Sequence, residues 1–138
     1  MESPYLSHRN CVKRLWKEYI KHKSLIVACD FDDTVWPFHN QADTHKLVLN
    51  LLKDCSDLGF HIVIYTASKP ERFDFMRRTL ENAGIRVASV NKNAFDLPYG
   101  NDGKIYYNIL LCDRAGLASS FKILNSIVKR AKKTIDKK

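Results

Sequence analysis

The chain has 138 residues, 45% of them hydrophobic and 28% charged, with a formal net charge of +8. That length suits one domain over residues 1–138, able to bury a core without disulfides or a structural metal. No apolar run approaches the ~18–20 residues of a membrane span, and Met1-Glu2-Ser3-Pro4-Tyr5 lacks the charged and apolar regions of a secretion signal. The expectation is a soluble, cytoplasmic protein without membrane partners. Its cysteines, Cys11, Cys29, Cys55 and Cys112, form no CxxC pair and are expected to be reduced apolar filler.

Positive charge collects at the ends. Residues 1–23 carry six basic and two acidic side chains, and residues 129–138 carry six and one. The remainder is close to neutral, with eleven basic and twelve acidic. Two readings stay open: solvated helix faces, or an electrostatic footprint for nucleic acid or another polyanion.

Along the chain, Val12, Leu15, Trp16, Tyr19 and Ile20 recur at helical spacing and predict an amphipathic helix over about 8–22. Leu25–Cys29 is a short apolar run ending in acid, the pattern of a strand buried on both faces. Leu47, Val48, Leu51, Leu52, Cys55 and Leu58 form one helical stripe that Gly59 stops. A second buried strand follows over 60–65. Ser68-Lys69-Pro70-Glu71 reads as a capping box opening a helix lined by Phe73, Met76, Leu80 and Ala83 and closed by Gly84. A third strand is expected over 85–90, a loop over 91–104, a fourth strand over 106–112, and a last helix through Leu117, Phe121, Leu124, Val128 and Ala131.

Strands alternating with helices imply right-handed crossovers and a mainly parallel sheet in an α/β, three-layer, Rossmann-like fold, with helices on both faces. Ligands in such folds sit beyond the carboxyl ends of the strands, where strand order reverses. There the sequence delivers Asp30 and Asp32, then Thr66, then Asp113. Crowded carboxylates repel one another, and a bound cation relieves that repulsion. Oxygen ligands of this kind favour Mg²⁺. One carboxylate can then attack phosphorus while a second moves protons, and a hydroxyl and an ammonium can hold phosphoryl oxygens.

Val27-Ala28-Cys29-Asp30-Phe31-Asp32-Asp33-Thr34-Val35 resembles the first motif of the haloacid dehalogenase superfamily, an apolar strand followed by DxDx[TV]. Thr66 is similar to its second motif, Lys104 to its third, and Leu110-Leu111-Cys112-Asp113 to its fourth. The stretch from Val90 to Leu117 resembles small proteins of this superfamily from phages and bacteria, and Trp36-Pro37-Phe38 is similar to magnesium-dependent phosphatases. The resemblance implies a Mg²⁺-dependent phosphomonoesterase acting through an aspartyl-phosphate. Asp30 would be nucleophile and metal ligand. Asp32 would be general acid/base, with its backbone carbonyl on the metal, and Asp113 would complete the metal site. Thr66 and Lys104 would bind phosphate, with Lys92 an alternative to Lys104. The gaps between motifs leave no room for a cap domain, so phosphorylated substrates as bulky as a nucleic-acid end are expected to enter, and nucleotides too. One departure stands out: Cys112 occupies the place of a common first acid in the fourth motif, and a neutral thiol is a poor Mg²⁺ ligand. The alternative is a catalytically weak module that binds nucleic acid or a protein through its basic helices.

Asp33 is expected to cap backbone locally or belong to a flap, and Thr34 to support the acidic loop. Trp36 and Phe38 either form an apolar lip or pack. Arg114 either touches substrate or is structural. Cys29 and Cys112 each precede a site acid, on strands expected to be neighbours.

Overall fold

The computed structural model describes residues 3–39, 42–98 and 103–136. In chain order it has α1 (His8–His22), β1 (Ile26–Cys29), α2 (Thr44–Asp57), β2 (His61–Ile64), a 3₁₀ turn (Pro70–Arg72), α3 (Phe73–Asn82), β3 (Val87–Val90), β4 (Ile109–Leu111) and α4 (Leu117–Asp136). Among the described residues no helix is long and apolar enough to cross a membrane.

The four strands form one parallel sheet in the order β3-β2-β1-β4, flanked by the four helices. The chain steps outward from β1 to β2 and β3, then crosses back to place β4 on the other side of β1. Strand order therefore reverses between β1 and β4, so the crevice at their carboxyl ends is the place for a ligand. This is the Rossmann-like, three-layer α/β arrangement, with no separate cap.

Alternation along the strands sorts the core. Val27, Cys29, Ile62, Ile64, Val87, Ile109 and Leu111 join one buried cluster, which also takes Leu15 of α1, Leu52 of α2, Met76 and Leu80 of α3, and Leu124 of α4. The intervening Ile26 and Val63 join a smaller cluster with Ile105, with Ala94 and Tyr107 packed against it. These last three belong to the β3–β4 connection. Leu47, read as part of the α2 stripe, instead points to solvent.

Helix ends follow local chemistry. Ser7 caps α1 by accepting the Asn10 N–H. Gly59, at φ +85°, lets α2 close with paired bonds from Gly59 N–H to Ser56 C=O and Phe60 N–H to Cys55 C=O, a turn that a side chain would strain.

Other local expectations fail as well: Ile20 and Ala83, read as lining their helices, are exposed, and the third strand begins only at Val87 because the Ile85 N–H still bonds Leu80 C=O at the end of α3. Ser68 does not cap a helix: residues 70–72 make a 3₁₀ turn, α3 begins only at Phe73, and the Ser68 hydroxyl accepts from Arg72 instead. The fourth strand is shorter than expected. Asn108 clamps Ile26 through its side-chain oxygen (2.7 Å) and its own N–H (2.8 Å), so regular pairing starts only at Val27 with Ile109.

Candidate active site

The carboxyl ends of β1, β2 and β4 open on a cleft of about 630 Å³ that includes Asp30, Asp32, Thr66, Cys112, Asp113 and Arg114 in its lining. Each acid is delivered by the end of a buried apolar strand or the loop just after it. Asp30 is fixed by its backbone N–H, which donates to Leu111 C=O at 2.9 Å across the β1–β4 seam. Asp113 is fixed by Thr34, which is fully buried. The Thr34 hydroxyl accepts the Asp113 N–H at 3.0 Å and donates to the Asp113 carboxylate at 3.2 Å. One hydroxyl thus ties the acidic loop after β1 to the acidic loop after β4, the supporting role expected of it.

Asp30, Cys112 and Asp113 offer ligand atoms within 4.8 Å of one another. Burial first, and a hydrogen bond with Asp113 second, push the Asp30 carboxyl up from 3.8 to about 6. The Phe31 N–H and the Cys112 thiol pull the other way. Burial also raises the Cys112 thiol, which stays protonated and donates to Asp30 at 3.8 Å. The donor set is therefore two carboxylates with a neutral thiol beside them. Two hard oxygens fit Mg²⁺, which fills the rest of its shell with water and phosphate oxygens; the thiol is better suited as a hydrogen-bond donor to Asp30 than as a ligand. Cys29, on the neighbouring strand, is fully buried.

Thr66 reaches the cleft on a braced backbone. The Asn91 side chain accepts the Thr66 N–H and donates to the Thr66 C=O, both at 2.8 Å. The Thr66 hydroxyl accepts the Ser68 N–H at 3.1 Å, which leaves its own proton to donate into the cleft. Asn91 sits at φ +56°, a conformation its short polar side chain tolerates.

Asp32 carries a contact that the sequence did not announce. Arg72, from the turn before α3, forks onto both of its carboxylate oxygens at 2.7 and 3.0 Å. The same guanidinium donates to Ser68 at 2.8 Å and lies 5.7 Å from the Phe31 ring centroid. Asp32 is thus aimed and held by a planar, two-point contact that a lysine could not reproduce.

Lys104 is not brought to the cleft. It is exposed on the β3–β4 connection, and its neighbour Ile105 packs on Ile26, at the start of β1. Lys92 is exposed as well, next to Asn91, and neither lysine lines the cleft. Among the described lining residues the one Lys or Arg is Arg114. Asp33, at φ +63°, turns the flap: its carboxylate accepts the His39 N–H at 2.8 Å and meets the His39 ring at 2.6 Å. The apolar pair divides. Trp36 packs, stacked on Phe31 and edge-on to Phe75, while Phe38 is 59% exposed on the cleft rim.

No protein-family model matches the chain, and no curated protein sequence matches it. A solved structure, a conserved protein from Bacteroides thetaiotaomicron, superposes with a TM-score of 0.59 at 18% identity, over 78% of this chain and 92% of that one. At that identity the likeness is one of fold.

Proposed function

We propose that this chain is a phosphomonoesterase of the haloacid dehalogenase type, dependent on Mg²⁺ and working through an aspartyl-phosphate on Asp30. The observation that carries the reading is the meeting of Asp30 and Asp113 in one ligand group at the switch point, with Asp32 and Thr66 on the same cleft. Asp30 and Asp113 would hold Mg²⁺, which when bound offsets the negative charge that otherwise keeps a phosphate from a carboxylate. The Asp30 carboxylate attacks phosphorus, and the bond from phosphorus to the leaving oxygen breaks. Asp32 gives that oxygen a proton. Asp32 then takes a proton from water, whose oxygen attacks the phosphorus, and inorganic phosphate leaves with Asp30 restored.

Thr66 would donate to a phosphoryl oxygen. Arg114 would supply the cation proposed for Lys104. Arg72 occupies both oxygens of Asp32 and must release one before that oxygen can carry a proton. Without a cap the cleft is open, which suits bulky phosphoesters. The expected partner is accordingly a phosphorylated substrate.

The test is hydrolysis of an aryl phosphate with and without Mg²⁺, comparing wild type with Asp30→Asn. Turnover that needs both Mg²⁺ and Asp30 supports the proposal; equal rates in the two proteins at every Mg²⁺ concentration contradict it. A second reading, a non-catalytic module of the same fold, is favoured by one observation: a neutral thiol in the ligand group. It predicts no turnover in wild type.

A further inference from the structure

The two basic ends of the chain fold into adjacent elements. Helices α1 and α4 pack directly on one another, with the Arg130 guanidinium 4.0 Å from the centroid of the Trp16 ring. A short turn, residues 23–25, joins α1 to β1, and the Tyr19 ring, near the end of α1, lies 5.6 Å from that of Phe60 just before β2, so α1 runs antiparallel to the strands, as does α4, which packs on β4. They are therefore parallel to each other, and the Arg130–Trp16 contact sets them nearly level.

Each helix buries one side and leaves a basic ridge on the other. On α1 the ridge is Arg9, Lys13, Lys17 and Lys21, all exposed and each four residues from the next. Four residues rise about 6 Å, so this is a straight row of evenly spaced charges. On α4 the outward positions are Lys122, Lys129 and Lys133, also exposed. None of these side chains pairs with an acid among the described residues. Elsewhere on the surface Lys46, Lys53, Arg77 and Arg78 each meet a carboxylate, as does Arg14 beside the α1 row, while Lys69, Arg86 and Lys92 pair with no acid among the described residues but form no row. Like charges at this spacing destabilise a helix, so the unpaired rows are a structural cost awaiting a compensating anion.

We propose that these paired ridges bind the backbone of a polynucleotide. Two level rows of point charges match a linear array of phosphates. A membrane-surface helix would need a free apolar face, and most of that face of α1 is occupied: Leu15 is fully buried, Trp16 and Tyr19 pack on the core, and of the stripe only Ile20 is exposed. The α4 ridge begins close to the cleft, since Leu117 follows Asp113 by a short turn. The proposal does not depend on catalysis at Asp30.

Fluorescence anisotropy with a labelled DNA duplex tests it, over roughly 50–200 mM salt. Contact with about four to six phosphates predicts a log K against log[salt] slope of about −3.5 to −5.5. The variant Arg9→Gln/Lys13→Gln/Lys17→Gln/Lys21→Gln, checked for an unchanged circular dichroism spectrum, should bind at least about tenfold more weakly, with a slope shallower by about 3 to 4. The control Lys69→Gln/Arg86→Gln/Lys92→Gln and the variant Asp30→Asn should both bind as wild type does. The proposal is overturned if wild type shows no salt-dependent binding, or if the α1 variant binds as wild type does. It is also overturned if the control variant or Asp30→Asn loses as much affinity as the α1 variant, or if phosphatidylserine vesicles bind more tightly than the duplex.

Discussion

Replacing Asp30 by Asn should stabilise the metal-free protein at neutral pH while removing its proposed activity. Asp30 is raised from 3.8 to about 6, by burial first and by Asp113 second. A carboxyl whose folded pKa lies above its unfolded value favours the folded state fully below about pH 4, and that contribution is lost as pH rises through about 6. A rise from 3.8 to about 6 corresponds to about 3 kcal/mol. Asp30 is only partly buried, and solvent screening reduces this to about 1–2 kcal/mol. Asn has the same shape and no charge to lose. The stability difference between Asp30→Asn and wild type should therefore be near zero at about pH 4 and reach about 1–2 kcal/mol in favour of the variant at about pH 8. For a chain of this length that is roughly 3–7 °C in Tm. Thermal unfolding at several pH values in EDTA measures it. Adding Mg²⁺ should raise the Tm of wild type at about pH 8 and leave the variant nearly unmoved, because ligand binding to the folded state adds stability. A difference curve that is flat with pH, or that favours wild type as pH rises, would refute the electrostatic reading of the site.

Three further outcomes follow from single contacts. Thr34→Val keeps the shape but leaves the Asp113 N–H and carboxylate without their shared partner, so it should cost about 1–3 kcal/mol in denaturant unfolding. Cys112→Asp places a third carboxylate in the ligand group and should tighten Mg²⁺ binding by isothermal titration; an unchanged affinity would show that the thiol position lies outside the coordination sphere. Arg72→Met leaves Asp32 unaimed and should lower kcat roughly 10–100-fold with little change in KM, and Arg72→Lys should restore little of it, since a flexible ammonium does not fix the carboxylate plane as the guanidinium does before it releases one oxygen.

The features legible in the sequence were those with a local or periodic signature. The apolar run ending at Asp30, the helix over 8–22 and the stop at Gly59 all stand where the residues put them. The pairing of β1 with β4, and with it the approach of Asp113 to Asp30, followed from the parallel-sheet pattern. What escaped was long-range and polar. An arginine in the first turn before a helix reads as a solvated charge, and nothing in its neighbours announces a carboxylate forty positions earlier. Asn91 is an ordinary strand-end residue until its amide is seen holding both backbone groups of Thr66. Lys104 looked suited by its order in the chain, but the β3–β4 connection spends Ile105 on the core beside Ile26, away from the strand ends that build the cleft. The capping box failed because Arg72 takes the Ser68 hydroxyl that a helix end would have used.

The central claim is that Asp30 carries a phosphoryl group. Peptide mass spectrometry after acid quench tests it most directly, on an Asp32→Asn variant incubated with Mg²⁺ and acetyl phosphate, because loss of the proposed general base should slow hydrolysis of the intermediate. The account predicts one phosphoryl group on the peptide containing Asp30, and none when Mg²⁺ is withheld or Asp30 is also changed to Asn. A label that persists without Asp30, or no label under any Mg²⁺ concentration, would contradict it.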